Sequence, residues 1–370
     1  VLELRFRFDR ALERGAGATR GRRLRRRDSN TQTSEALADP WVDGRVAFRA
    51  SPLLIASPAE GASRMDPSVE PGASEGSPIL SGDDGAVDAA RSRFAVEVDS
   101  LRLNVEKWSR QNGAPMLVYV HGICESAETI TVHRLAVSAL AAGWQLLVIE
   151  LEGHGLSEGP RAVCGDFDRL VHQTVAVVAH IRAAHAGRWA LCGSSLGAAV
   201  CAYVAESIDD AADFVGLVLL APAVGVEARV LPGLAVRSAL RFLSAVAPAA
   251  VLPLTPSEDP TRYNYPPGST RNYSGHWPLA TSRMLLDLTS GQVEEDQAAS
   301  RLLLRRPLLV VSGTKDHIVP FQQVEAFFGR ATAADKELLR VPGAGHDLTV
   351  NGKYAHRVVD KIFAFLQARV

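Results

Sequence analysis

The sequence predicts an α/β fold with a mostly parallel central sheet flanked by helices and interrupted by a long insertion. Two observations carry this. From residue 94 onward, short apolar runs alternate with helix-length stretches, and one long interval, 222–299, breaks the alternation. Parallel strands covered on both faces read as continuous apolar runs, so the rhythm marks a sheet with helices on either side.

The elements follow in order. Phe94-Ala95-Val96-Glu97-Val98 and Leu101-Arg102-Leu103-Asn104-Val105 alternate apolar with polar around Asp99-Ser100, the pattern of a hairpin. Buried strands are expected at Met116–Val120, Gln145–Leu151, Trp189–Cys192, Val215–Leu220, Leu308–Val311 and Glu337–Val341. Helical spacing occupies 127–142, 164–185, 196–208, 318–330 and 353–369. The interval 222–299 is too long for a loop and is expected to form structure of its own over the carboxyl ends of the strands, where open α/β sheets bind ligands. The α/β domain is expected to span 94–370, and residues 1–93, polar and without apolar periodicity, to be a mostly disordered extension.

Composition narrows the function. The chain has 370 residues, 47% hydrophobic and 22% charged, with a formal net charge of −1. That balance gives no general attraction to nucleic acid, and none is expected as a partner. Cys124, Cys164, Cys192 and Cys201 show no C-x-x-C spacing, which argues against a disulfide framework or zinc site and favours a reducing compartment. No apolar stretch reaches the roughly 18–20 residues of a membrane-spanning helix. The expected location is cytoplasmic or at a membrane surface. The cluster Arg20, Arg22, Arg23, Arg25, Arg26 and Arg27 fits an organellar transit peptide, a nucleic-acid arm, an anionic-lipid contact or a solvated tail.

The chemistry is concentrated at Gly193-Ser194-Ser195-Leu196-Gly197, a G-x-S-x-G sequence directly after the run Trp189–Cys192 and before the small apolar Ala198–Ala202. A nucleophilic serine on such a strand-to-helix turn needs small residues on both sides. It also needs a histidine base and an orienting carboxylate, following it in the chain order acid, then histidine. Asp316 stands just past the run Leu308–Val311 and Gly313, and His346 just past Val341 and two glycines. His317 is a rival base, disfavoured because it cannot both turn onto its neighbour Asp316 and reach Ser195. Oxyanion-stabilising amides are expected from Leu196, after the nucleophile, and from Ile123 in the turn His121-Gly122-Ile123-Cys124. His121 is expected to brace that turn. Gly153-His154-Gly155-Leu156-Ser157-Glu158-Gly159 lacks the lysine of a phosphate loop and the order of a dinucleotide site, and no H-E-x-x-H zinc motif occurs.

On these residues, 94–370 resembles the monoacylglycerol lipase and lysophospholipase group of α/β-hydrolases, filed with serine aminopeptidase-like domains. The matching pieces include His121-Gly122 with Glu125-Ser126, Gly153-His154-Gly155 with Ser157-Glu158-Gly159, Asp166-Phe167, the Ser195 pentapeptide, Gly313 with Asp316 and Val319-Pro320, and Gly345-His346. Glu150 stands where members of the group commonly carry Asp. The resemblance implies the α/β-hydrolase fold with a helical cap over 222–299 and Ser195, Asp316 and His346 as a triad. It implies a carboxylic-ester hydrolase acting through an acyl-enzyme on monoacylglycerol or lysophospholipid, with no metal or organic cofactor. The expected partner is a small acyl ester or lipid. Leu234, Leu240, Phe242, Leu243 and Val246 fit an acyl-chain tunnel and peripheral membrane contact, or a helix packed on the sheet domain. An aminopeptidase-like or thioester hydrolase with the same triad, and a ligand-binding protein with little turnover, remain as alternatives.

Overall fold

The computed structural model describes residues 84–208, 212–226, 231–253, 255, 257–258, 263–290 and 302–370. The N-terminal extension up to residue 83, with its arginine cluster, lies outside the described residues.

Each predicted apolar run forms a strand: β3 (Met116–Val120), β4 (Gln145–Ile149), β5 (Trp189–Ser194), β6 (Phe214–Leu220), β9 (Leu308–Gly313) and β10 (Lys336–Val341). The hairpin forms as β1 (Arg91–Val98) and β2 (Leu101–Trp108), preceded by a short helix α1 (Asp84–Ala89). Ordered structure therefore begins before the expected boundary at 94. The polar Arg91-Ser92-Arg93 carries no hydrophobic signal. Its backbone nevertheless pairs with Glu106, Lys107 and Trp108, and ladder hydrogen bonds do not depend on side-chain polarity.

The eight strands order as β1-β2-β4-β3-β5-β6-β9-β10. β1 with β2 and β2 with β4 are antiparallel, and every other pair is parallel. Alternate residues of each strand feed opposite layers, as the period of two requires. Met116, Val118 and Val120 enter a core with Leu170, Val177 and Ile181 of α3 (Phe167–Ala184), Leu196 and Val200 of α4 (Leu196–Ser207), and Val324 and Phe327 of α7 (Phe321–Arg330). Leu117 and Tyr119 enter the other, with Leu135 of α2 (Ile130–Ala141) and Val358, Val359 and Ile362 of α8 (Gly352–Gln367). Side-chain caps start three helices: Thr129 accepts from Val132 N at 3.3 Å, Asp166 from Asp168 N at 3.0 Å, and Asn351 from Lys353 N at 3.0 Å.

Between β6 and β9 the chain forms α5 (Leu234–Val246), a two-residue β7 (Ser257–Glu258) paired with β8 (Gly275–His276), and α6 (Leu279–Ser290). α5 is tied to α6 by Arg237 with Ser290 and Arg241 with Asp287. It buries only Ser244, leaving Leu234 79%, Phe242 69% and Val246 70% exposed. It is therefore not the helix packed on the sheet that was one of the two sequence readings.

The segment before β8 is bonded into the sheet domain through a buried carboxylate. Glu106 of β2, 2% exposed, binds Arg91 at 3.0 Å and Arg271 at 2.9 Å. Burial opposes its charge, but the two guanidiniums outweigh that and hold its carboxyl below the usual 4.5. A carboxyl depressed by folding stabilises the native state above its unfolded pKa and loses that contribution as pH falls through its folded value. Glu106→Ala should therefore cost about 3–5 kcal/mol in urea unfolding at neutral pH, and the gap from wild type should close as pH falls below 4.5.

Candidate active site

The turn between β5 and α4 puts Ser195 at φ 50° and ψ −115°, a region L-residues rarely adopt. Its neighbours explain how the backbone holds it there. A Cβ on Gly193 would meet Gly197 O at 2.4 Å, and one on Gly197 would meet Val120 O at 2.2 Å and His121 O at 2.3 Å. The two glycines of the motif are thus contact points between α4, β5 and the end of β3. Ser195 N donates to Leu220 O at 2.9 Å, and Ser195 O accepts from Ala199 N and Ala223 N at 3.2 and 3.1 Å, so the strained residue is pinned from β6 and from its own helix.

β3, β5, β6, β9 and β10 are adjacent and parallel, so the residues that follow their last positions lie along one edge of the sheet. Ser195 follows β5, Asp316 follows β9 and His346 follows β10. The structure brings the last two together: His346 Nδ1 donates to Asp316 Oδ2 at 2.7 Å. The other carboxylate oxygen accepts from Ile318 N at 2.8 Å and Val319 N at 2.9 Å, which locks the acid in place. An ionised carboxylate only accepts, so the Nδ1 proton is fixed and Nε2 is the nitrogen left to act as a base. Burial pushes the His346 imidazole down, but the hydrogen bond and charge of Asp316, helped by Asp347 and Glu125, reverse this and hold it above the usual 6.5. His317 is exposed, and the Asp316 oxygens are occupied by His346 and the two amides.

The turn after β3 is built around two buried histidines. His121 donates from Nδ1 to Gly122 O at 2.7 Å and accepts Leu151 N–H on Nε2 at 3.1 Å. His154 of the Gly-His-Gly segment donates from Nδ1 to Glu152 O at 2.9 Å and accepts Cys124 N–H on Nε2 at 3.2 Å. Burial is the main reason their pKa values fall to about 3 and about 4, so both stay neutral and act as braces. Glu150, fully buried, accepts Ala127 N at 2.8 Å, Leu156 N at 2.7 Å and Asn104 Nδ2 at 2.9 Å, joining the same two segments. Gly122 N is taken by Glu125 at 2.9 Å. The amides of Ile123 and Leu196 donate to no acceptor among the described residues.

Sequence reasoning identified Ser195, Asp316, His346, Ile123 and Leu196, and His121 as a brace, but assigned no task to Glu125, Glu150 or His154. Ser194 Oγ accepts from Tyr119 OH at 2.8 Å and donates to Glu125 at 3.5 Å, so the residue before Ser195 is linked to the β3 turn. The contacts of Tyr119 with Ser194 and of Cys124 with His154 join residues 75 and 30 positions apart, and no local pattern encodes them.

The family described as serine aminopeptidase, S33, matches residues 112–352, which include all of β3 to β10 and both glycines of the Ser195 turn. The chain belongs to this hydrolase family. A monoacylglycerol lipase of Mycolicibacterium smegmatis is 28% identical over 268 residues, 71% of this chain and 92% of that protein. The crystal structure of a Paleococcus ferrophilus monoacylglycerol lipase matches with a TM-score of 0.56 at 21% identity, over 72% of this chain and 99% of that one. A soluble variant of the Saccharomyces cerevisiae monoglyceride lipase, solved with a substrate analogue, matches with a TM-score of 0.61 at 15% identity, over 76% and 97%. This hydrolase therefore has the α/β-hydrolase fold expected from its sequence. Among its described residues no helix is long and apolar enough to cross a membrane.

The close approach at the turn gives a direct test. Gly197→Ala drives a methyl group into two backbone carbonyls that cannot yield separately. We expect a loss of roughly 3 kcal/mol or more in chemical unfolding, beyond the usual range for a single substitution. Gly113→Ala, with nothing within 4 Å of the added carbon, should show only the smaller strain of its φ of 79°.

Proposed function

We propose that this protein is a serine hydrolase that cleaves carboxylic esters through an acyl-enzyme intermediate, with a monoacylglycerol or lysophospholipid as substrate. The observation that carries the reading is the 2.7 Å hydrogen bond from His346 to a carboxylate held by two further amides, on the same sheet edge as a serine strained into an elbow. In the proposed reaction His346 Nε2 takes the Ser195 proton as Oγ attacks the ester carbonyl. Asp316 keeps the imidazole in the reactive tautomer and stabilises the imidazolium. The amides of Ile123 and Leu196 receive the oxyanion, and the N-terminus of α4 adds its partial positive charge. His346 then protonates the leaving alcohol, and water repeats the cycle to release the acid.

The lipid part of the reading has separate support. The exposed apolar residues of α5 suit an acyl chain or the surface of a lipid aggregate, and the Mycolicibacterium smegmatis relative is a monoacylglycerol lipase. The direct measurement is turnover by the purified chain of a monoacylglycerol, a lysophospholipid and an aminoacyl anilide. We expect the first two to be cleaved and Ser195→Ala to lower kcat by about 10⁴-fold or more. Cleavage of the anilide alone discards the lipid-ester reading, and an undiminished Ser195→Ala variant discards the nucleophile.

The pH profile tests the base independently. His346 must be neutral to accept the serine proton, so kcat/KM should fall on the acid side through a pKa above 6.5. Glu125 contributes to that elevation, and Glu125→Gln keeps an acceptor for Gly122 N while removing the charge. Its acid limb should move to lower pH. An unmoved limb would remove His346 as the titrating group or Glu125 from its surroundings.

A further inference from the structure

The residues that precede β8 do not cover the β3 turn loosely; they are hydrogen-bonded to it residue by residue. Thr129 and Asn264 form an antiparallel bridge, with Ile130 N donating to Tyr263 O at 2.8 Å and Tyr265 N to Glu128 O at 3.1 Å. Tyr273 N donates to Cys124 O at 2.8 Å. Between these anchors sits Asn272, 5% exposed, with its whole amide engaged. Oδ1 accepts from Ser126 Oγ at 2.7 Å, and Nδ2 donates to Glu128 O at 2.9 Å and to Asn264 Oδ1 at 2.5 Å. Only a primary amide offers one acceptor and two donors from a single short side chain.

The two sides of the turn are thus held by different parts of the molecule. The N–H groups of Gly122, Cys124 and Ala127 are taken by Glu125, His154 and Glu150. The carbonyls of Cys124 and Glu128 and the hydroxyl of Ser126 are taken by 263–273. Cys124 itself sits at φ 64°, a conformation that a non-glycine residue keeps only when its surroundings over-determine it. Ile123, whose amide donates to no acceptor among the described residues, immediately precedes this doubly anchored residue.

From this we infer that Asn272 is a positioning residue for the oxyanion-stabilising amide of Ile123, acting through Ser126 and Glu128. The segment 263–273 is then a fixed part of the catalytic frame and not a lid over it. The inference rests on the serine-hydrolase reading, in which Ile123 N–H meets the developing charge. Asn272 touches no substrate in this scheme. It sets the position of a donor whose value depends on geometry, where a displacement of about 1 Å can cost on the order of 10²-fold in rate.

The test compares Asn272→Ala, Ser126→Ala and the double variant in the full chain, using a monoacylglycerol as substrate and an alkyl boronic acid as the tetrahedral mimic. We expect Asn272→Ala to lower kcat by about 10- to 10²-fold while KM changes less than about threefold, because the lost interaction exists only in the transition state. The boronate Ki should rise by the factor that kcat/KM falls. The double variant should be little slower than Asn272→Ala, since that substitution already breaks the Ser126–Asn272 link. A folded Asn272→Ala protein with wild-type kcat and boronate Ki, whatever its Tm, overturns the inference. If that variant does not fold, Ser126→Ala, which leaves both Asn272 donor bonds in place, decides by the same readouts. A wild-type chain that neither turns over the ester nor binds the boronate overturns the hydrolase reading instead. The hold of 263–273 on the turn is then judged by amide hydrogen exchange over 122–127, and protection unchanged by Asn272→Ala refutes it.

Discussion

The whole site depends on one approach of backbone to backbone, where α4 begins against the end of β3 at Gly197. At that point two carbonyls lie where any side chain would stand. This closeness seats the first turn of α4 against the end of β3, next to Ser195 in its strained conformation at the tip of the turn. The strain is tolerated because three backbone hydrogen bonds from β6, the segment after it and α4 converge on Ser195. Rigid strands below and a short elbow above hold Ser195, Asp316 and His346 along one edge of the sheet, just past the ends of β5, β9 and β10.

Around this point the protein distributes rigidity unevenly. The turn after β3 is braced by neutral buried imidazoles, by the buried Glu150 carboxyl and by the segment 263–273, so every side of it meets a polar partner. The arrangement is costly to bury and is kept together by near-complete pairing. α5 is the opposite case. It is joined to α6 through arginine contacts, with its apolar residues in solvent. The interval 222–299 therefore contains two physically different pieces: a polar segment bonded to the turn after β3 and a helix with exposed apolar residues.

Much of the sheet was legible because buried parallel strands and helices leave strong periodic signals, and the bounds of all six runs from Met116 to Val341 lie within two residues of the observed strands. The candidate triad residues were legible for a different reason. Chain order and the glycines beside each group restrict what can stand on a sharp turn at a strand end. The start of β1 was not legible, since Arg91, Ser92 and Arg93 enter the sheet through backbone pairing that no hydrophobic pattern announces. Nor were Glu150, His154 and Asn272, which are ordinary polar residues in the sequence and acquire their tasks from partners far along the chain.

The sequence by itself determined the α/β class, the order of the strands along the chain and the identity of the serine, aspartate and histidine candidates, because each is written in local patterns of apolarity and small residues. Tertiary structure alone decided that Asp316 holds His346, that α5 faces outward, and that the cap reaches back to grip the turn carrying Ile123. Those outcomes depend on which hydrogen-bond donors and acceptors meet once the sheet has assembled, and a polar side chain's partner is a property of the fold rather than of its neighbours in the chain.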